Sequence, residues 1–503
     1  SQDHDRACRN IIKMKKKTTV TVLRSAAVLA VAAAMLAMLA GCGFITITYP
    51  EDGTTAAPGT TAAPGTSDAA ATTDPPETVV FPDRQDEAKA RLAALPEVRL
   101  SVRDLIIANS TATSAVIEPE EGDTLNSART KRTESACKKY DISLTVARMD
   151  DGELLSAFVN AAKSGSYYAD LAVIPASTAA LYFNAGIAQD LRKLPFFTAA
   201  TDAEKPEGAG IAASSCWFYC GDAVSDPDSL WALYFNRTLA GSEVSSGLYR
   251  RALGAGLTWE DVFTTVTSVG AADGVRSMLC GDSETFTFAA DAVCASAGID
   301  FVSHGMGEVP SVNFDEDKLN AAGSVIGRLA ELLTAPDEGG RATFADGAGL
   351  FYLGTLSDMR SFYDKKAEWG ILPLPRVSSD SEYTTLGSEN QPVIVCVGGG
   401  SRTELDGAAL AAFDAASGGW LDDAYADAAL ETCLRDNNSY LTLRATLSAV
   451  RKFDFSYIYS GATDELRGAT YGAARKALTG GSLATAVKNA RNAANRELSR
   501  LFG

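Results

Sequence analysis

Asp170-Leu-Ala-Val-Ile-Pro-Ala-Ser-Thr178 is the stretch on which the fold turns. The four apolar residues after Asp170 are too few for a helix and too continuous for a half-exposed strand, so they predict a strand buried on both faces. Pro175 stops it, and a helix is expected from about Ser177. The same rhythm runs upstream. Leu105-Ile-Ile-Ala108 reads as another short buried strand, followed by a polar loop to Asp123. Asn126–Tyr140 has helical spacing with a basic face, and Ile142–Val146 alternates like a strand. Asp151–Ser164 sets Leu154, Leu155, Phe158 and Val159 on one helical side. Strands alternating with helices predict an α/β fold with a mainly parallel sheet and crossover helices. Ligands of such sheets collect beyond the carboxyl ends of the strands. Those ends are Asn109-Ser110-Thr111 and Pro175-Ala176-Ser177, which nominates Ser110 and Ser177.

The full chain of 503 residues is long for one core and suggests two lobes. Residues 1–41 hold seven of the 45 Lys/Arg and two of the 63 Asp/Glu, leaving 38 basic against 61 acidic residues, a balance near −23. Such a surface repels phosphate backbones and anionic lipid, so nucleic acid is excluded as a partner. Nine cysteines stand at 8, 42, 137, 216, 220, 280, 294, 396 and 433. Without Cys8 and Cys42 seven remain, an odd number, with Cys216/Cys220 and Cys280/Cys294 the nearest candidate pairs. No second Cys-x-x-Cys-type pair appears and His304 is the one histidine after residue 41, so neither a metal site nor a cofactor is expected.

Met14-Lys-Lys-Lys17 opens a basic region, and Ser25–Ala40 is an apolar run of signal-peptide length, short for a spanning helix. It ends in Leu39-Ala40-Gly41-Cys42, which resembles the lipobox of bacterial lipoproteins. That resemblance implies a signal peptide over 14–41, acylation of Cys42 and an anchor on the outer face of the cytoplasmic membrane. Residues 1–13 contain no methionine and read as upstream, non-native sequence. Thr55–Thr60 and Thr61–Thr66 are direct copies of Thr-Ala-Ala-Pro-Gly-Thr within a Thr/Ala/Pro/Gly-rich stretch. Residues 42–90 therefore read as the lipidated cysteine with a disordered linker reaching roughly 40 Å.

Asp170-Leu-Ala-Val-Ile-Pro175 with Leu181-Tyr-Phe-Asn-Ala-Gly-Ile-Ala-Gln-Asp-Leu191 resembles a stretch of extracellular solute-binding proteins. Trp231-Ala-Leu-Tyr-Phe-Asn236 resembles their strand into the second lobe, and Leu257-Thr-Trp-Glu-Asp-Val262 the helix start after it. Phe344-Ala-Asp-Gly-Ala-Gly-Leu-Phe-Tyr-Leu-Gly354 and Trp369-Gly-Ile-Leu-Pro-Leu-Pro375 are similar to later elements of the maltose-binding, family 1 type. The five elements occur in order over roughly residues 98–400. The resemblance implies a two-lobed periplasmic-binding-protein type II fold with a hinge. Lobe 1 would take 91–225 and 392–440, and lobe 2 would take 226–391 and 441–503, its C-terminal helices bracing the hinge. It further implies a monomer that holds a small solute, a sugar or oligosaccharide foremost, between its lobes for the permease of an ABC transporter.

Sugar clefts combine aromatic platforms with a few placed polar groups. Glu121, Asp123 and Asn126 join Ser110 and Ser177 from lobe 1. Trp217, Asp222 and Trp231 stand by the first crossing. Tyr352, Gly354 and Thr355 follow the later element, where a helix start after Gly354 could receive an anion. Three have plainer readings, Trp217 and Trp231 as core and Asp222 as a turn residue, while Trp259 and Trp369 read as helix packing. Two other functions stay open on the sequence. Among 61 acids a carboxylate pair for a glycosidase can always be found, and an adhesin without a cleft is the other. A Ser-His-Asp hydrolase would need His304, which reads as a loop residue, and Gly398-Gly-Gly400 lacks the Lys-Ser/Thr of a phosphate loop.

Overall fold

The computed structural model describes residues 45–47 and 84–503, apart from 118–121, 201–205, 271–274, 282, 334–339, 380 and 399–401. Cys42, the signal segment, the Thr-Ala-Ala-Pro-Gly-Thr copies and Glu121 lie outside the described residues.

The strands of two sheets are β1 (Ile45–Ile47), β2 (Asp104–Ser110), β3 (Ser143–Met149), β4 (Leu171–Pro175), β5 (Trp231–Asn236), β6 (Ser277–Cys280), β7 (Gly349–Thr355), β8 (Trp369–Leu372) and β9 (Pro392–Cys396). The first sheet has the order β1-β3-β2-β4-β9 and the second β8-β5-β7-β6. In the first, β2 runs parallel to β3 and β4, while β9 lies antiparallel to β4 and β1 antiparallel to β3. In the second, β7 is parallel to β6, and β5 is antiparallel to both β7 and β8. Apart from the short edge strand β1, each sheet thus has three strands in one direction and a single reversed strand. That strand, β9 or β5, is the one that follows a passage between sheets. This is the two-lobed type II architecture.

The chain leaves the first sheet after Tyr219, which bridges Ile394 of β9, and enters the second at Trp231. It returns after β8, with Gly387 bridging Leu230 and the first sheet resuming at Pro392. Helices after β9 then tie the lobes together. Thr403–Ala416 and Trp420–Thr432 pack on Thr124–Tyr140 of lobe 1, Asn437–Ser448 packs on β8 of lobe 2, and Leu483–Phe502 packs on Glu316–Leu332 of lobe 2. Gln85–Ala94 is a helix against Thr403–Ala416 that begins inside the stretch 42–90 read as disordered linker, and β1 is a strand within that same stretch.

Local chemistry accounts for these elements. All five residues of β4 and all six of β5 are buried. Along β5 alternate side chains enter different cores: Trp231, Leu233 and Phe235 on one face, Ala232 and Tyr234 on the other. Asp123 caps Thr124–Tyr140 by accepting from the Asn126 N–H, Asp150 caps Asp151–Ser164 through Gly152, and Thr258 and Asp261 form a reciprocal capping box. Trp259 is buried and donates to Ser296 Oγ at 3.2 Å, and Trp369 is buried in the second sheet. Cys137, Cys216, Cys220, Cys280, Cys294, Cys396 and Cys433 are all buried free thiols, so neither nearest candidate pair is joined. Burial pushes the Cys137 and Cys216 thiols up to about 12, which keeps them protonated and inert. His304 lies in a strand, Val302–Gly305, rather than a loop, with Nδ1 3.1 Å from the Ile211 carbonyl and its ring against Phe455.

Candidate ligand-binding site

Three parallel strands of lobe 1 end together: Ser110 pairs with Met149 in register, and β4 ends at Pro175 alongside. The chain turns immediately after each strand, so the first polar residues beyond the ends converge. Ser110 is fully buried, and its Oγ accepts from the Ala112 N–H at 3.1 Å. Asp151, two residues past β3, sets its carboxylate beside the hydroxyls of Thr178 and Ser110. Burial raises the Asp151 pKa, and those two hydroxyls pull it partly back. Its Oδ1 is buried without a hydrogen-bond partner among the described residues, and so is the hydroxyl of fully buried Tyr182, which feels the Asp151 charge. Orphaned buried polar atoms are costly, and at the strand ends an added donor would relieve the Asp151 carboxylate.

The floor comes from the return passage. The N–H groups of Ala176 and Ser177, opening the helix Ala176–Asn184, donate to the carbonyls of Gln391 and Glu389 at 2.9 and 3.1 Å. The Glu389 side chain lies 3.6 Å from Arg475. Arg475 in turn stacks over Phe288 at 4.2 Å and is clamped by Asp291, 2.7 Å from its Nη2. Glu389 is therefore shared between a lobe 1 helix start and an arginine held on the lobe 2 helix Ser283–Ser296. The arrangement offers a carboxylate acceptor at Asp151, hydroxyls at Ser110 and Thr178, and guanidinium donors at Arg475. These are groups that bind and orient a polyhydroxyl solute. Among the described residues no cluster of three or more His, Cys, Asp or Glu side chains comes together to hold a metal ion.

The residues nominated from the sequence fall in different places. Ser110 and Ser177 lie at the lobe 1 strand ends. Asp123 belongs instead to a groove of about 570 Å³ between Thr124–Tyr140 and Trp420–Thr432, its side chain spent on the cap, and Asn126 lies in the first turn of that helix with its N–H taken by the cap. Asp222 faces a separate hollow of about 250 Å³ with Arg84 and Phe453, 3.6 Å from Arg91. Trp231, 1% exposed, is core and not a platform, because both faces of β5 are covered. Trp217 is half-buried, its ring 5.3 Å from Phe183 and packed on the core. Tyr352 is fully buried, with its hydroxyl on Asp358 at 3.0 Å. Gly354 is buried because any Cβ would run into the Tyr352 ring and the Asp358 carboxylate. Thr355 is half-buried and caps Leu356–Asp358, a single 3₁₀ turn; the Thr355 N–H goes to Asp358 at 3.1 Å and the Leu356 N–H to the Leu230 carbonyl at 2.8 Å, so neither is left for an anion. Asp151, Thr178, Phe288, Asp291, Glu389 and Arg475 were not anticipated.

No family model and no curated protein sequence matches the chain. Solved structures do match its shape. The cyclic alpha-maltosyl-1,6-maltose binding protein from Arthrobacter globiformis superposes with a TM-score of 0.51 at 17% identity, covering 79% of this chain and 99% of that one. The sugar-binding protein MalE from Xanthomonas citri superposes with a TM-score of 0.50 at 10% identity, covering 79% and 98%. The chain therefore has the fold of maltose-binding-type solute-binding proteins.

Proposed function

We propose that this protein is a non-enzymatic solute-binding protein that captures a small carbohydrate between its lobes and hands it to an ABC transporter permease. The observation that carries this reading is the convergence of Ser110, Asp151 and Thr178 at the lobe 1 strand ends, with the buried Asp151 Oδ1 unpartnered among the described residues and Arg475 linked to the neighbouring helix start through Glu389. Solved structures of the same shape carry names that refer to maltosyl-maltose or sugar binding, which supports the carbohydrate class. The Cys42 lipobox and the repeats after it support anchoring of a monomer outside the cytoplasmic membrane through lipid, on a tether that ends before the helix Gln85–Ala94. Among the described residues no helix is long and apolar enough to cross a membrane. The proposed lobes are 91–225 with 392–440, and 226–391 with 441–503.

The test is a thermal-shift screen of the whole protein against mono- and oligosaccharides, amino acids, peptides and polyamines, with the compound recovered and weighed by mass spectrometry. A ligand at 100 times its dissociation constant adds about 2.7 kcal/mol to stability. A sugar that raises the melting temperature and returns unchanged supports the reading. Product formation, or stabilisation by a non-sugar alone, overturns it.

A further inference from the structure

Asp291 has no solvent exposure and sits mid-helix among Ala289, Ala290, Ala292, Val293 and Cys294, all buried. A carboxylate there is expensive unless its partners are well placed. They are: Arg475 meets it through Nε at 3.1 and 3.2 Å and through Nη2 at 2.7 Å, and the Tyr457 hydroxyl donates to it at 2.8 Å. An apolar side chain would pack the helix at lower cost, so the carboxylate calls for a role beyond packing.

We infer that Asp291 is a positioning residue for the solute site, holding the Arg475 guanidinium flat on Phe288 so that Glu389 and the solute meet its outer edge. This rests on the solute-binding reading. The Nε–Nη2 edge is consumed by Asp291, which leaves the Nη1 donors for an acceptor oxygen of the solute, such as a sugar hydroxyl. Arg475 belongs to the helix Tyr471–Ala477 and Asp291 to lobe 2, while the Glu389 carbonyl caps the lobe 1 helix at Ser177. The clamp therefore fixes the arginine relative to both lobes. Burial lifts the Asp291 pKa to about 7, against the hydrogen bonds and charge of Arg475 and the Tyr457 hydroxyl, with the Glu389 charge adding to the rise. Asp454 and Tyr471 pack against Tyr457 from the same side. Burial works against the Arg475 charge, but its bonds to Asp291 outweigh this and hold its pKa above the usual range. As pH falls through about 7 the clamp takes a proton and its hold on Arg475 weakens.

Arginine Nε–Hε NMR of the whole protein tests this without a ligand. The Arg475 signal, assigned from an Arg475→Lys variant, is expected to be slow in exchange at pH 8 and to shift with a midpoint near 7. In Asp291→Asn it should be fast in exchange and flat with pH. Titration with maltotriose supplies the second readout. Asp291→Asn should bind roughly tenfold more weakly at pH 8, and wild-type affinity should fall towards pH 6 while the variant's stays level. An Arg475 signal unchanged in Asp291→Asn overturns the positioning role. If maltotriose binds neither protein while the NMR behaves as expected, the carbohydrate reading fails and the clamp stands. Should Asp291→Asn not fold, the wild-type signal decides: an Arg475 Nε–Hε in fast exchange at pH 8 overturns the role.

Discussion

Two regions rich in ring and polar side chains stand in contrast. Along β5 and β7, Trp231, Tyr234 and Tyr352 fill continuous strands covered on both faces, and their exposure is 1% or less. Beyond the lobe 1 strands and at the return passage, Asp151, Glu389 and Arg475 stay partly open, with a side-chain exposure of 25% for Arg475 and 37% for Glu389. The first region supplies stability, and the second is where we propose that recognition occurs. An aromatic residue within a strand marks a wall, whereas the residues one or two positions past a strand end mark a site.

The largest expected effect tests the wall. Trp231→Ala should cost about 3–5 kcal/mol in denaturant unfolding, and a loss below 1 kcal/mol would show that the indole is not core. Next comes the site: Asp151→Asn should weaken sugar binding roughly tenfold or more by calorimetry while leaving the melting temperature within a degree or two. Equal affinity would remove Asp151 from the cleft.

A smaller effect follows from buried acid. Burial foremost lifts Asp226 to about 6 and Asp291 to about 7, above the ordinary 3.8. Between pH 4 and 7 the folded state then holds more protons than the unfolded chain, so stability rises as pH falls through that window. A melting temperature a few degrees higher at pH 5.5 than at pH 8 is expected, with part of the gain absent in Asp291→Asn. A lower value at pH 5.5 would contradict it. The smallest effect belongs to Asp222, whose carboxylate faces Arg91 on the outer surface. Asp222→Ala should change neither affinity nor, beyond about 1 kcal/mol, stability.

Much of the fold was legible because β4 and β5 announce themselves as uninterrupted apolar runs, and because Pro175 marks where one ends. Ser177 followed from that alone, and Ser110 from the buried run Leu105–Ala108. Asp151 was missed through a strand boundary: the alternation from Ile142 stops at Val146, but β3 continues through Arg148 to Met149 in register with Ser110. Reading those three residues as strand would have put Asp151 at its end. The helix Gln85–Ala94 was hidden by the Pro- and Thr-rich sequence before it, although Gln-Asp-Glu-Ala-Lys-Ala-Arg-Leu is a good helix-former series. The floor left no local trace. Asp291 and Arg475 are 184 residues apart, and only the packing of Tyr471–Ala477 on Ser283–Ser296 brings them together. Trp231 and Tyr352 misled because aromatic residues suit both sugar faces and strand cores, and composition does not tell the two apart.

Hydrogen exchange with mass spectrometry, on the whole protein with and without a saturating sugar from the screen, tests the central claim most directly. Protection should gather at 104–112, 149–155, 176–180, 387–391 and 471–477, the strand ends and passage that form the cleft. Protection confined to 122–131 and 420–431, the outer groove, or absent from all these segments, would contradict it.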